Sequence, residues 1–318
     1  MSYFGIVPNE NPAVDPSYVP GELPPGAAEY LRPANPRLLE LRARYAAFRP
    51  FRRPQWPVVS FEHELELAYF RGDNAYSWQV RGGITEMQYV LTAYYVQTAD
   101  RLGLFDRLTE DHLFGSYSFD FNGRRVVSRD LLDSILQINF IERMTGLSQI
   151  PSATVLDIGA GYGRLAHRMS KGLPNLKRIW CADAVPESTF LCEYYLKFRG
   201  ADERVQVLEL DRVEAALSGQ EIDVVTNVQS FTESAMESIA WWMDLLDRCP
   251  VKYLLIVPNT PDQLLSMETD RSRLDFQPLI ERHGYRLIAR ESIYENAPSV
   301  QKFGVYGDGK LWMFRKDA

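Results

Sequence analysis

The sequence predicts an α/β fold in which a mostly parallel sheet of seven strands follows a mainly helical N-terminal extension. Three observations carry that expectation. After Pro151, short apolar runs alternate with helical stretches, as they do in repeated βα units. The first of those runs ends in a glycine-rich turn, Asp157-Ile158-Gly159-Ala160-Gly161-Tyr162-Gly163, that opens into a helix near Arg164. Before residue 58 the texture differs: eleven of the nineteen prolines fall in residues 1–57, and each fixes φ and removes a backbone donor.

Taken in order, residues 1–127 are expected to form a proline-rich arm and a helical cap or lid, and residues 128–318 a ligand-binding domain. Within the arm, residues 37–48 are a short helix candidate, and the remainder reads as an extended strap over the main body. Residues 84–102 carry apolar side chains at helical spacing, with Gly103 as the stop. A further helix is expected over residues 131–144. Ser128 is its N-cap, Asp130 lies in its first turn, and Leu132, Ile135, Leu136 and Phe140 form an apolar stripe that Asn139 interrupts. Between these helices FDRLTEDHLFGSYSFDFNGRR is rich in aromatic and turn residues, and reads as a packed connection or a lid. Strands are expected at residues 154–158, 178–182, 205–208, 223–227, 252–257, 285–291 and 310–315.

Composition bounds the function. The 318 residues are 46% hydrophobic and 24% charged, values of a folded chain of one or two domains. A net charge of −7 and the lack of any Lys/Arg run argue against nucleic acid as a partner. Cys181, Cys192 and Cys249 are odd in number and lack CxxC spacing, so they read as reduced core residues. The start, MSYFGIVPNENP, carries no signal-peptide pattern, and no window approaches the roughly 18 apolar residues of a membrane span. The expectation is a cytoplasmic protein with a small-molecule or glycan partner and no membrane; a homo-oligomer stays open.

The glycine-rich turn narrows the ligand. Glycines let a backbone turn tightly and approach a ligand where a Cβ would collide. A nicotinamide fingerprint spaces them GxGxxG and lays a pyrophosphate on the helix N-terminus. This turn reads GxGxG with Asp157 two residues before the first glycine. A carboxylate there repels a pyrophosphate and suits a ligand with an ammonium group and no phosphate, as in the methionine part of S-adenosylmethionine. Asp183 follows Gly163 by twenty residues, at the end of the apolar run RIWCA, where a carboxylate can accept both ribose hydroxyls. Asp157, Gly159, Gly161 and Asp183 are therefore the first candidates for holding that cofactor, in a Rossmann-like domain.

The strings VLDIGAGYGRLAHRM, CADAVPESTFLCEYYLKFRG, NVQSFTES, the pair Trp241-Trp242, LLIVPN and, upstream, GRRVVSRDLLDSILQINF resemble those of a bacterial sugar O-methyltransferase family. The resemblance covers roughly residues 110–290. It implies a seven-stranded methyltransferase sheet and an S-adenosylmethionine-dependent enzyme acting on a sugar hydroxyl.

Other positions follow from the strand ends. Leu210 and Asp211, just past the third expected strand, would face the adenine, although Asp211 also reads as an exposed helix-start residue. Asn227, Gln229 and Ser230 follow the fourth, where acceptors for the methionine end belong. Arg129 reads equally as a bidentate partner for the donor's carboxylate or as a solvated charge. Glu233 is the first candidate for a general base and His112 the second, with helix capping and a structural role as the alternatives. The aromatic residues from Phe114 to Phe121 could stack on a sugar ring. Some methyltransferases of the resembling type hold magnesium with acidic residues after the fourth and fifth strands. Here those places offer Asn227 and PNTPDQ, with Asp262 the only early carboxylate, so no metal is expected. A small-molecule or protein N-methyltransferase and a non-catalytic donor-binding subunit are the competing readings.

Overall fold

The computed structural model describes residues 21–48, 65–72, 76, 85–201, 203–260, 262–305 and 309–317. The expected arm of residues 1–57 therefore lies partly outside the described residues. Its helix α1, Ala27–Tyr30, is a single turn. Helix α2, Pro36–Ala47, starts where Asn35 accepts the Arg37 amide at 2.9 Å and proline takes the first helical position.

Helix α3, Glu86–Ala99, opens on a capping box between Thr85 and Gln88. It ends before Gly103, which instead precedes the one-turn helix α4, Leu104–Arg107. Asn139 explains the difference: its Oδ1 accepts the Arg101 amide at 2.8 Å and its Nδ2 donates to Asp100, fixing the exit of α3. The polar interruption in the apolar stripe is thus a tether. Strands β1, Ser118–Phe121, and β2, Arg125–Ser128, form an antiparallel hairpin inside the segment read as a connection. Asn122 and Gly123 both take positive φ, 55° and 60°, in the three-residue loop that joins the paired Phe121 and Arg125.

Helix α5, Arg129–Thr145, begins where Ser128 accepts the Leu131 amide. The chain then alternates β3, Ala153–Ile158; α6, Arg164–Gly172; β4, Leu176–Ala182; α7, Pro186–Phe198; β5, Val205–Leu208; α8, Val213–Leu217; β6, Ile222–Val228; α9, Met236–Asp247; and β7, Val251–Val257. Helix α10, Gln277–Arg282, β8, Tyr285–Ser292, α11, Pro298–Phe303, and β9, Lys310–Lys316, complete it. The sheet order is β5-β4-β3-β6-β7-β9-β8, with β9 antiparallel to both neighbours and every other pair parallel. All seven expected strands are present in a Rossmann-like, doubly wound sheet.

Strand alternation gives the sheet two buried faces. Val155, Ile179, Cys181, Val224, Leu255 and Met313 share a core with Ile135 and Ile138 of α5, Leu165 and Met169 of α6, and Leu196 of α7. Leu156, Trp180, Val225, Leu254 and Phe314 share the other with Val213, Ile239, Trp242, Leu246 and Ile280, and with Leu38, Leu41 and Tyr45 of α2. Strand order reverses between β3 and β6, and in open sheets of this kind the crevice at that point takes the ligand. Among the described residues no helix is long and apolar enough to cross a membrane.

Candidate functional site

At the reversal point Asp157 is the last residue but one of β3, paired in register with Cys181 of β4 and Thr226 of β6. The carboxyl is buried, and Thr226 Oγ1 donates to its Oδ1 at 2.6 Å. Among the described residues no hydrogen bond reaches its other oxygen. Burial pushes this carboxyl up to about 6, against which the Thr226 bond and the charge of Arg164 act.

The turn that follows is braced by backbone. Gly159 and Ala160 donate to Ala182 O at 2.8 and 3.2 Å, and Gly161 donates to Asp183 Oδ2 at 2.9 Å. Asp183 Oδ1 takes the Val185 amide at 2.8 Å, so this carboxylate also fixes the entry to α7. The glycines are not equivalent. A Cβ on Gly159 would stand 2.2 Å from Ser230 Cβ and one on Gly163 2.9 Å from Cys192 Sγ, whereas among the described residues one on Gly161 would meet only Tyr76 Oη, at 3.8 Å. Tyr76 borders Gly161 beside Asp183 while donating to Ser188 Oγ at 3.1 Å.

The loops after β6 and β7 form the next wall. Asn227 is committed to the scaffold: its Nδ2 donates to Ile158 O at 3.0 Å and its Oδ1 accepts the Phe231 amide at 2.9 Å. Its side chain, at a position expected to supply acceptors to the methionine end, is thus engaged by the neighbouring backbone. Gln229 holds the left-handed region, φ 67°, with its amide on Val257 O at 2.7 Å. A non-glycine residue kept there marks a backbone over-determined by its surroundings. Ser230 packs on Gly159, and Glu233 Oε1 accepts from Asn259 Nδ2 at 2.9 Å. Glu233 does not cap α9; Glu268 does, accepting the Met236 amide at 3.0 Å. Beside Glu233, Arg273 has a buried Nη1 with no hydrogen-bond partner among the described residues.

At the end of β5 the adenine candidates are already engaged. The Leu210 amide donates to Tyr45 Oη at 2.9 Å, and Tyr45 Oη also bonds Thr189 Oγ1 at 2.9 Å. Asp211 is paired with Arg44 at 2.7 Å. Both partners come from α2, so the groups expected to meet a base are bound by the chain itself.

Two further expectations change. Arg129 is buried, with its Nε 3.4 Å from Asp133 Oδ2, and is not a solvated charge. It flanks the turn, since the Tyr162 hydroxyl donates to Asp130 and Arg164 donates to Ser134 Oγ at 2.8 Å. His112 bonds Ser118 Oγ at 2.7 Å, and its neighbour Asp111 pairs with Arg199 just past the end of α7. Arg71 in turn joins Asp111, at 3.1 Å, to Asp130, which accepts from the Tyr162 hydroxyl of the glycine turn. Of the aromatic stretch, Phe114 and Phe121 are buried, Phe114 in a cluster with Phe70, Tyr195 and Phe198, so only Tyr117 and Phe119 retain exposure.

Sequence reasoning missed Thr226, Tyr45, Tyr76 and Arg273. Thr226 had a signal, a lone polar residue inside the apolar run DVVTN, whereas the other three reach the site through tertiary contacts. Among the described residues no three His, Cys, Asp or Glu side chains gather as metal ligands do.

No family model matches the chain, and no curated protein matches it in sequence. Its fold is similar to that of an S-adenosylmethionine-dependent methyltransferase from Clostridium acetobutylicum ATCC 824, at 11% identity over 58% of this chain and 91% of that one, TM-score 0.40. It is also similar to magnesium protoporphyrin IX methyltransferase from Synechocystis PCC 6803 with bound S-adenosylmethionine, at 11% identity over 74% and 100%, TM-score 0.42. The cyclase SpnF matches at 16% identity over 74% and 97%, TM-score 0.42. Likenesses this distant carry no functional reading, and the function is read from the residues.

Proposed function

We propose that this chain is an S-adenosylmethionine-dependent O-methyltransferase that methylates a sugar hydroxyl. The observation that carries the reading is Asp157: a buried carboxylate with one oxygen uncommitted, under a glycine turn that a second carboxylate, Asp183, holds open at Gly161. Those residues fit the donor's ammonium and ribose, while Arg129 and the Gln229–Ser230 backbone flank the methionine end. When bound, S-adenosylmethionine supplies an electrophilic methyl group on a sulfonium. The chain's own work is to align an acceptor hydroxyl with that group, exclude water, and take the proton released as oxygen attacks. Alignment supplies roughly 7–11 kcal/mol of barrier lowering and a general base a factor of about 10²–10⁴.

Glu233 is the residue assigned to that proton, with Asn259 orienting one carboxylate oxygen. Tyr117 and Phe119 are the aromatic faces left for a sugar ring. Calorimetry with S-adenosylmethionine, followed by a methyl-release assay over a sugar panel, tests the reading. Glu233→Gln should lower turnover by about 10²–10⁴ while donor affinity stays nearly constant. Loss of donor binding and turnover together would make Glu233 a structural or donor-binding residue instead.

A further inference from the structure

We infer that α2 is an ionic latch over the donor's base position, so that donor binding requires its release. This rests on the donor reading above. The Leu210 amide and the carboxylate of Asp211 lie at the end of β5, next to Asp183 at the end of β4, where the base attached to that ribose must fall. Tyr45 Oη takes the amide, and Arg44 takes Asp211 and Glu209 at 2.7 Å each. Arg37 adds Glu209 at 2.5 Å and Glu193 at 2.6 Å, and Arg42 adds Glu187 at 2.8 Å. Tyr45 Oη is buried and already bonded to Leu210 and Thr189. As long as α2 lies here, the Leu210 amide and the Asp211 carboxylate are taken by Tyr45 and Arg44.

Three features make the contact releasable. Its charged contacts are partly exposed: the side chains of Arg37, Arg44 and Asp211 keep 26%, 21% and 29% of their exposure, so salt and water compete for them, whereas Leu38, Leu41 and Tyr45 of the same helix are buried in the core and oppose its release. It is imperfect, because Arg42 Nη2 is buried with no hydrogen-bond partner among the described residues, a penalty that lifting the helix removes. Its charges also match without any ligand: the pair from Arg44 is the first cause holding the Glu209 carboxyl down to about 2. The closed state is therefore stable while the donor is absent, and the apparent affinity for donor falls by the fraction of chains that are open.

Hydrogen exchange on the unaltered chain distinguishes a latch from a pocket wall. Adding S-adenosylmethionine should protect the amides of residues 159–163 and speed exchange over residues 37–47. Slower or unchanged exchange over 37–47 with the turn protected would overturn the latch. Silence in both segments would overturn the donor reading, and the latch with it. Calorimetry gives an independent check: the double variant Arg37→Gln/Arg44→Gln should bind S-adenosylmethionine about tenfold more tightly than the unaltered chain at low salt, a gap that closes in 0.5 M NaCl. A weaker-binding double variant would show that α2 helps to hold the donor and would overturn the proposal.

Discussion

The N-terminal segment is fastened to the sheet in two places, and they are built differently. At the first, Arg71 and Arg168 pair with Glu110 at 2.7 and 2.6 Å, all three essentially buried, while Ser128 donates to the same carboxylate as it caps α5. At the second, Arg37 and Arg44 of α2 hold Glu209 and Asp211, and all four side chains keep part of their exposure. Both are arginine–carboxylate sets of similar length. Burial separates them: breaking one partner of a dry pair leaves a bare charge, whereas breaking a wet one returns both groups to solvent. The charges of the first, the seam, are sealed from solvent and those of the second are not, although Leu38 and Leu41 anchor α2 in the core.

The seam gives the largest expected effect. Glu110→Gln leaves Arg71 and Arg168 facing a neutral amide in a dry site, and should destabilise the fold by about 3–5 kcal/mol, read as a drop in Tm of roughly 10 °C. Glu110 also sets a pH dependence. The two arginine charges and the Ser128 bond hold its carboxyl far below the usual carboxylate range, outweighing burial. A depressed carboxyl contributes stability above its unfolded value near 4.5 and loses it as pH falls below that. Urea unfolding between pH 3 and 7 should show that loss in the unaltered chain and not in Glu110→Gln; parallel curves would mean the charge is not what closes the seam.

The difference between the two fastenings also marks what the sequence could and could not tell. Seven strands, the cap at Ser128 and the glycine turn were legible, because each depends on local periodicity, capping chemistry or backbone freedom. Asp157 and Asp183 were legible because a carboxylate at a strand end has a position that topology fixes. Leu210 and Asp211 were placed correctly past β5, yet their engagement by Tyr45 and Arg44 joins residues 165 and 167 positions apart, which no local pattern encodes. Asn227 had the polarity of a site residue and proved to be a brace between neighbouring strands. The bond from His112 to Ser118 Oγ was likewise outside what a local pattern encodes.

A middle-sized effect tests the open corner. Asp157→Asn removes the charge that would meet the donor's ammonium and keeps the Thr226 contact, so donor affinity should fall by roughly 10- to 100-fold. The unaltered chain should imitate this in acid. Its folded carboxyl titrates at about 6, so below that pH the protonated form grows and affinity should decline about tenfold per unit. The fold responds with the opposite sign. A raised carboxyl is stabilising while protonated, so this site's contribution decreases as pH rises from about 4 to about 6, and Asp157→Asn should remove that decrease. Calorimetry from pH 5 to 8 reads the first and urea unfolding the second. Affinity independent of pH across this range would disconnect Asp157 from the ligand.

The smallest effect belongs to the latch as a structural contact. Arg44→Gln deletes pairs that keep about a fifth of their exposure, and in such places an ion pair gains little once side-chain entropy and screening are counted. Its stability loss should stay below about 1 kcal/mol at low salt and shrink further at 0.5 M NaCl, where the Debye length is only a few ångströms. Glu110→Gln should keep nearly its whole deficit under the same salt, since screening does not reach a dry pair. Running both variants side by side in urea at two salt concentrations compares the fastenings directly. If Arg44→Gln proved as costly as Glu110→Gln and as indifferent to salt, α2 would belong to the permanent core, and no ligand could displace it from the end of β5.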